Sequence, residues 1–128
     1  MAALSDYLEN KLLDHIVGKT SYTMPSVWVG LYTVTPSDAG GGTEVTGGSY
    51  ARKSTVGSDW TAASGGALSN AQVITFIPAT ADWGAVVAFA LFDAASAGNM
   101  LAWGTVTKTI QNGDTASFAI GDLDITLD

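Results

Sequence analysis

The start of the chain carries the hydrophobic pattern of an amphipathic helix. Leucine, isoleucine and valine recur from Leu4 to Val17 at spacings that place them along one face of a helix. Ser5 can cap the start, because its hydroxyl can accept a hydrogen bond from an unpaired amide of the first turn. Gly18 can end the helix, since glycine adopts a positive φ at little steric cost. The pattern predicts an amphipathic helix over residues 4–18.

The rest of the chain alternates apolar and polar residues with a period of two, which is typical of β-strands. Glycine, proline and asparagine interrupt it at intervals of roughly 8–12 residues, as in antiparallel sandwiches and barrels. No strand–helix–strand alternation is present, which disfavours a parallel sheet. The predicted strands cover residues 27–33, 50–56, 60–63, 73–77, 83–92, 100–106 continuing through 106–110, 116–120 and 123–127. The run 83–92 is the best candidate for a central strand.

These elements predict an all-β fold. We expect an antiparallel, jelly-roll-like β-sandwich of about eight strands, preceded by one N-terminal amphipathic helix. The chain has 128 residues, which is the size of one ordinary folding unit. A single domain over residues 1–128 is therefore expected, with the helix at 4–18 and the sandwich at 25–128.

The composition is poor in charge. Charged residues make up 13% of the chain and hydrophobic residues 47%, and there is no cysteine. Disorder is excluded, because it requires low hydrophobicity and high charge. Since about a quarter of residues are usually charged, part of this surface is expected to face a partner. The lack of cysteine fits a reducing compartment, and synthesis in the cytoplasm is expected.

The net charge of −7 argues against anionic partners. Twelve acidic residues stand against five bases, of which only Arg52 and Lys53 are adjacent. Because phosphate neutralisation and anionic membranes both require clustered bases, we expect no nucleic acid and no membrane partner. The longest apolar candidate is far shorter than a bilayer span. The N-terminus also lacks the basic and apolar regions of a signal peptide.

Candidate catalytic and cofactor-binding groups are few. His15 is the only histidine, and it falls within the predicted helix beside Asp14. Adjacent residues diverge on a helix, so Asp14 cannot orient a histidine base. No G-x-S-x-G nucleophile elbow is present. The glycine-rich loop at 36–48 lacks the Lys-Ser/Thr of a phosphate-binding loop and opens no helix. We expect no enzyme activity and no cofactor.

Metal binding is also not expected. Without cysteine and with one histidine, zinc lacks its usual ligands. Asp122, Asp124 and Asp128 could offer hard oxygens to calcium. Their alternation with apolar residues favours a solvated strand face instead, where like charges discourage edge-to-edge aggregation.

Acidic residues next to aromatic rings leave a carbohydrate-binding module as a further alternative. Asp59, Asp82 and Asp93 adjoin Trp60, Trp83 and Phe92, respectively. A module of this kind would stack sugars on Trp28, Trp60, Trp83 or Trp103. A simpler interpretation is that these aromatic rings are core and interface anchors.

Several blocks in one order resemble a family of small structural proteins of tailed bacteriophages. The blocks are Leu4–His15, Asp38–Gly40, Gly42–Val45, Gly48–Arg52, Ala81–Gly84, Phe92–Ala95 and Gly121–Leu123. Together they run from end to end of the chain. Members of this family are often tail-fibre-like or tail components, and similar small β-sandwiches decorate capsids as cement proteins. The resemblance implies a virion component.

The leading hypothesis is a non-enzymatic virion protein that decorates and cements the capsid. It implies a location on the capsid exterior or the tail, after synthesis in the host cytoplasm. The expected partners are copies of itself, as a dimer or trimer, and the phage major capsid protein or tail proteins. The close alternative is a tail or tail-fibre attachment component. Interface anchors are expected among Tyr7, Leu8, Leu12, Tyr22, Trp28, Tyr50 and Trp60.

Overall fold

The computed structural model describes residues 3–127. Over these residues the chain forms ten β-strands, one α-helix and one 3₁₀ turn. The elements are β1 (Ala3–Leu4), α1 (Asp6–Ile16), β2 (Val27–Val34), β3 (Thr43–Glu44), β4 (Lys53–Thr55), the 3₁₀ turn (Gly57–Asp59), β5 (Ala67–Ser69), β6 (Ile74–Thr75), β7 (Gly84–Phe92), β8 (Met100–Ile110), β9 (Ser117–Phe118) and β10 (Asp124–Thr126).

The helix begins two residues later than the hydrophobic pattern predicts. Leu4 belongs to β1, which pairs with β8 and opposes Ala102, so this leucine is buried in the core. Ser5 caps the helix as predicted, because its Oγ accepts a hydrogen bond from Leu8 N at 3.2 Å. The helix ends at Ile16, and Gly18 follows with φ +80°. Leu4 continues the apolar spacing of the helix, so the pattern alone did not separate this strand residue from α1.

The main layer is a six-stranded antiparallel sheet in the order β1-β8-β7-β2-β3, with β4 also paired to β2. β7 lies in its centre, as predicted. Both faces of β7 are covered, which explains its nearly continuous apolar sequence. β8 covers the predicted run from 100 to 110 as one long strand, with a register shift opposite Val86 and Ala88.

Two short antiparallel pairs, β5–β10 and β6–β9, form the second layer. Their buried side chains, among them Phe118 and Ile125, join one core cluster with Val29 and Phe89 of the main sheet. The structure thus confirms an antiparallel, sandwich-like all-β fold with one N-terminal helix. Its two layers are unequal, because most of the second layer is loop.

Several predicted strands are shorter in the structure: 73–77, 116–120 and 123–127 reduce to β6, β9 and β10, and two other segments differ more. Of residues 50–56 only Lys53–Thr55 pair as a strand, because Tyr50 and Arg52 turn their side chains into a polar cluster. Residues 60–63 contribute a single bridge, from Trp60 to Asn70. In the first segment the side-chain contacts of Tyr50 and Arg52 replace regular strand pairing, and in the second Thr61 Oγ1 accepts a hydrogen bond from Ser69 N.

Candidate functional site

An apolar groove lies between α1 and the sandwich. We define it by Leu4, Leu8, Leu12, Tyr22, Trp60 and Ile125, and its volume is about 350 Å³. Leu8 and Leu12 contact the core, yet no residue of α1 is buried. Trp60 is held in the wall of the groove, because its Nε1 donates to Thr55 Oγ1 at 3.0 Å. The helix therefore covers the core only in part.

The far end of α1 and the segment after it expose apolar side chains. Leu13, Ile16, Val17 and Met24 have exposed fractions of 57%, 72%, 70% and 90%. We call these four the helix-end residues. Single exposed apolar residues are common on any protein surface, but groups of them mark contact sites. The groove and the helix-end residues are thus two apolar surfaces to which α1 contributes.

The structure brings together four of the seven expected interface residues. Leu8, Leu12, Tyr22 and Trp60 all line the apolar groove. Their role as anchors stays a prediction, since sequence and fold show their position and not their partner.

The other three expected anchors lie elsewhere. Tyr7 lines a different cavity at the start of α1. Trp28 is half-buried on β2, opposite Phe92 of β7. Tyr50 contributes to the interior, where its ring packs edge-on to Trp83 at 5.3 Å between centroids.

The polar cluster around Arg52 is a structural feature that the sequence did not reveal. The guanidinium binds both carboxylate oxygens of Glu44 at 2.9 Å and donates to the carbonyl oxygens of Ala94 and Ala97. The Cζ atom of Arg52 lies 3.5 Å from the centroid of the Phe92 ring. Burial lowers the pKa of Arg52, but the hydrogen bonds and charge of Glu44 outweigh burial and raise it. Arg52 therefore stays charged and ties two loops to the sheet.

Tyr50 completes this Arg52 cluster. Its hydroxyl donates to Glu44 Oε2 at 2.7 Å and accepts from Leu31 N at 2.9 Å. Burial, together with the hydrogen bond to Glu44, raises the pKa of Tyr50 well above its ordinary value of 10. Gly30 is required beneath the cluster, because a Cβ there would lie 2.8 Å from Glu44 Oε2. The polar groups of the cluster are therefore hydrogen-bonded to one another.

A second cavity lies at the N-terminal end of α1, on the outer face of the main sheet. We call it the acidic pocket and define it by Asp6, Tyr7, Tyr32, Asp38 and Asn99. Its volume is about 460 Å³. Asp38 Oδ1 accepts a hydrogen bond from Trp103 Nε1 at 2.9 Å, which fixes the carboxylate at the wall.

Three carboxylates meet at the rim of this pocket. Oxygen atoms of Asp6, Glu9 and Asp38 lie within 4.8 Å of one another, and within residues 3–127 no other such group of three is present. Acidic residues in the first turn are also what a helix N-terminus favours. The arrangement is a negatively charged, aromatic-lined cavity.

His15 has a structural contact. It is exposed, and its Nδ1 accepts a hydrogen bond from Tyr22 N at 3.1 Å. This bond secures the turn after the helix, and Asp14 does not orient the imidazole. His15 therefore stabilises the turn at the end of α1.

The aspartates considered for calcium and sugar binding tie down backbone turns. Asp59, Asp82 and Asp93 accept hydrogen bonds from the backbone amides of residues 56, 112 and 99, respectively. Asp122 accepts from the amide of residue 119. Asp124 is exposed on β10, as a solvated strand face requires, whereas Asp128 lies outside the described residues.

The tryptophans offer little surface for stacking. Trp83 and Trp103 are 5% and 8% exposed, and their indole N–H groups donate to Gly48 O and Asp38 Oδ1. Trp28 and Trp60 are half-buried. Within residues 3–127, no helix has the length and apolar character needed to cross a bilayer.

Comparison with known proteins identifies a family over nearly the whole chain. Residues 3–126 match the family described as Podophage GP4 fiber I protein gp80. A comparison with curated proteins found no match. The family is one of structural fibre proteins, which supports a virion structural role for this chain. By this match the chain belongs to the podophage GP4 fiber I protein gp80 family, a family of phage virion structural proteins.

Proposed function

We propose that this chain is a non-enzymatic subunit of the phage fibre or of its attachment to the tail. The observation that carries the proposal is the family match over residues 3–126, which names a fibre protein. This favours the tail or tail-fibre alternative over capsid cementing. The closed Arg52 cluster supports a building-block role, because it holds the loops of each subunit in one shape before assembly.

We further propose that subunits associate with each other, as a dimer or trimer, through the apolar groove. The helix-end residues of one copy would pack into the groove of the next. Each 100 Å² of apolar surface removed from water is worth about 2.5 kcal/mol. With 13% charged residues, little charge has to be desolvated at such a contact. Leu8, Leu12, Tyr22 and Trp60 are the proposed anchors on the groove side.

The copy number and location of the chain in purified virions test its place in the particle. We would quantify it by mass spectrometry against the major capsid protein and locate it by immunogold electron microscopy. A few to a few dozen copies with gold at the tail is the expected result. Hundreds of copies with gold over the capsid would establish the cement hypothesis instead. Absence from purified particles would contradict any virion role.

A further inference from the structure

The acidic pocket contains a polar group that the fold does not use. Tyr32 is 7% exposed, yet its hydroxyl forms no hydrogen bond within residues 3–127. Within the same residues, every side-chain nitrogen or oxygen atom that is buried from solvent has a hydrogen-bond partner. The Tyr32 hydroxyl must therefore reach the surface of the cavity it lines. Since buried phenols usually find a hydrogen-bond partner, this hydroxyl is available to a ligand.

The charge of the pocket indicates which ligand it suits. Asp6 and Asp38 contribute carboxylates to its wall, and no lysine, arginine or histidine is among its lining residues. Asp38 is held from two sides, since Trp103 Nε1 binds its carboxylate and Asp6 N binds its carbonyl oxygen. A fixed carboxylate loses little freedom when it binds a cation, which favours a positively charged group.

The aromatic side chains that line the pocket further restrict the kind of ligand it suits. Tyr7 and Tyr32 line the cavity, and a cation over a ring face is attracted by the ring quadrupole. The ammonium of Lys11 already makes such a contact, 5.5 Å from the centroid of the Tyr7 ring. A volume of about 460 Å³ is many times the ≈ 30 Å³ share of one water, so the cavity suits an organic side chain better than a bare ion. Beside the pocket, the guanidinium of Arg52 already lies between the Glu44 carboxylate and the ring of Phe92, which also lines the cavity and stacks on Tyr32.

We propose that the acidic pocket binds a basic side chain, a lysine or an arginine, presented by a protein partner. This rests on the proposed function in that a fibre subunit must be held by neighbouring proteins. The carboxylates of Asp6 and Asp38 receive the charge, Tyr7 covers the alkyl stem, and the Tyr32 hydroxyl supplies a further oxygen acceptor. The partner surface is therefore basic where it meets the start of α1, complementary to a chain of net charge −7.

Amide NMR titration of the full chain tests the pocket without a virion. The probes are N-acetyl-L-arginine amide and N-acetyl-L-lysine amide, with calcium chloride and a neutral disaccharide as alternatives at matched ionic strength. We expect saturable shifts at Asp6, Asp38 and Asn99 with a basic probe, weakened by added salt. Shifts with calcium alone, or with the disaccharide alone, would overturn the proposal, as would no saturable shift with any probe.

Variants separate binding from folding. Asp38→Asn keeps an oxygen acceptor for Trp103 and should weaken the basic probe about tenfold, as loss of a charge-assisted bond implies. Tyr32→Phe keeps the ring stacked on Phe92 and should weaken the probe about threefold at unchanged melting temperature. Asp14→Asn makes the same charge change on α1 outside the pocket and should leave binding intact. Equal weakening by Asp14→Asn would reduce the effect to net charge and contradict the site.

The pocket and the proposed function can fail separately. Binding of a basic probe in a chain that is absent from the tail would retain the pocket and reject the fibre role. A chain located at the tail that binds no basic probe would retain the fibre role and reject the pocket.

Discussion

The Arg52 cluster and the apolar groove lie against the same sheet and differ in how completely their groups are matched. In the cluster, Arg52, Glu44 and Tyr50 pair with each other and with backbone groups of the β7–β8 loop and of β2. In the groove, apolar side chains face a cavity of about 350 Å³ under a helix with no buried residue. The cluster therefore stabilises the subunit, whereas the groove has contact surface still available. Substitutions in the two regions should therefore have different effects.

Removing the guanidinium should give the largest loss of stability. Arg52→Met keeps an apolar stem but leaves Glu44 without its ionic partner, in a site where the Arg52 side chain is 7% exposed and that of Glu44 23%. Breaking a buried pair costs 3–5 kcal/mol, and the partial exposure of Glu44 reduces the expected loss to about 3 kcal/mol. Urea unfolding monitored by tryptophan fluorescence measures it.

Lys53→Met is the matched control, because Lys53 is the exposed neighbour and loses the same charge. Its effect should stay within about 0.5 kcal/mol. Similar losses in the two variants would mean that the Arg52 cluster contributes no specific stability.

Tyr50→Phe should cost less, about 1–3 kcal/mol, because it removes one hydroxyl and leaves Leu31 N without its acceptor. The ring contacts with Phe76 and Trp83 persist. The same unfolding experiment measures the loss, and an unchanged midpoint would contradict a role for the hydroxyl.

The pH dependence of this variant tests the raised pKa of Tyr50. Below pH 10 the phenol is protonated in both the folded and the unfolded chain. Above about pH 10 only the unfolded chain releases the proton readily, so folding stability falls as pH rises. The fall should be shallower in Tyr50→Phe. A residual slope is expected, because burial also raises the pKa of Tyr22 and Tyr32.

A charge at the end of α1 should act on association and spare the fold. Ile16→Lys alters a helix-end residue that is 72% exposed, so stability should change by no more than about 0.5 kcal/mol. The proposed contact with a neighbouring groove would have to bury the new charge. Sedimentation equilibrium should therefore show weaker self-association than in the unaltered chain.

Asn10→Lys is the control for this association, since it adds the same charge at another exposed position of α1. It should leave the oligomer intact. A chain that is monomeric at every concentration, or equal weakening by the two variants, would contradict the groove contact.

The sequence predicted what local periodicity encodes. The Ser5 cap, the central position of β7 and the apolar stripe of Leu8 and Leu12 follow from spacings of two to four residues. The Arg52 cluster does not, because Arg52 reaches carbonyls 42 and 45 positions away. Asn70 Oδ1 likewise accepts a hydrogen bond from Leu123 N, 53 positions away. Neither pairing leaves a repeating signal in the chain.

The groove could be predicted only in part. Helical spacing identified Leu8 and Leu12, and aromatic character identified Tyr22 and Trp60. The helix covers the core only in part because β1 places Leu4 in the sheet and fixes where α1 starts. The sequence pattern did not show this strand. Tyr32 was missed for a similar reason, since its unused hydroxyl is visible only once the loop bearing Asp38 is in place.

The smallest of the predicted losses of stability concerns the turn between β7 and β8, whose Ala94 and Ala97 carbonyls accept hydrogen bonds from Arg52. Asp93 accepts hydrogen bonds from Asn99 N at 2.8 Å and Asn99 Nδ2 at 2.9 Å. Burial opposes ionisation, but these bonds lower the pKa of Asp93 below its ordinary 3.8. Its contribution to stability is therefore present above about pH 4 and is lost as pH falls further. Asp93→Asn should cost about 0.5–1 kcal/mol at pH 7 and flatten the acid limb of the stability profile. Asp14→Asn, exposed on α1, should do neither, and equal profiles for the two variants would show that the turn owes nothing to the Asp93 carboxylate.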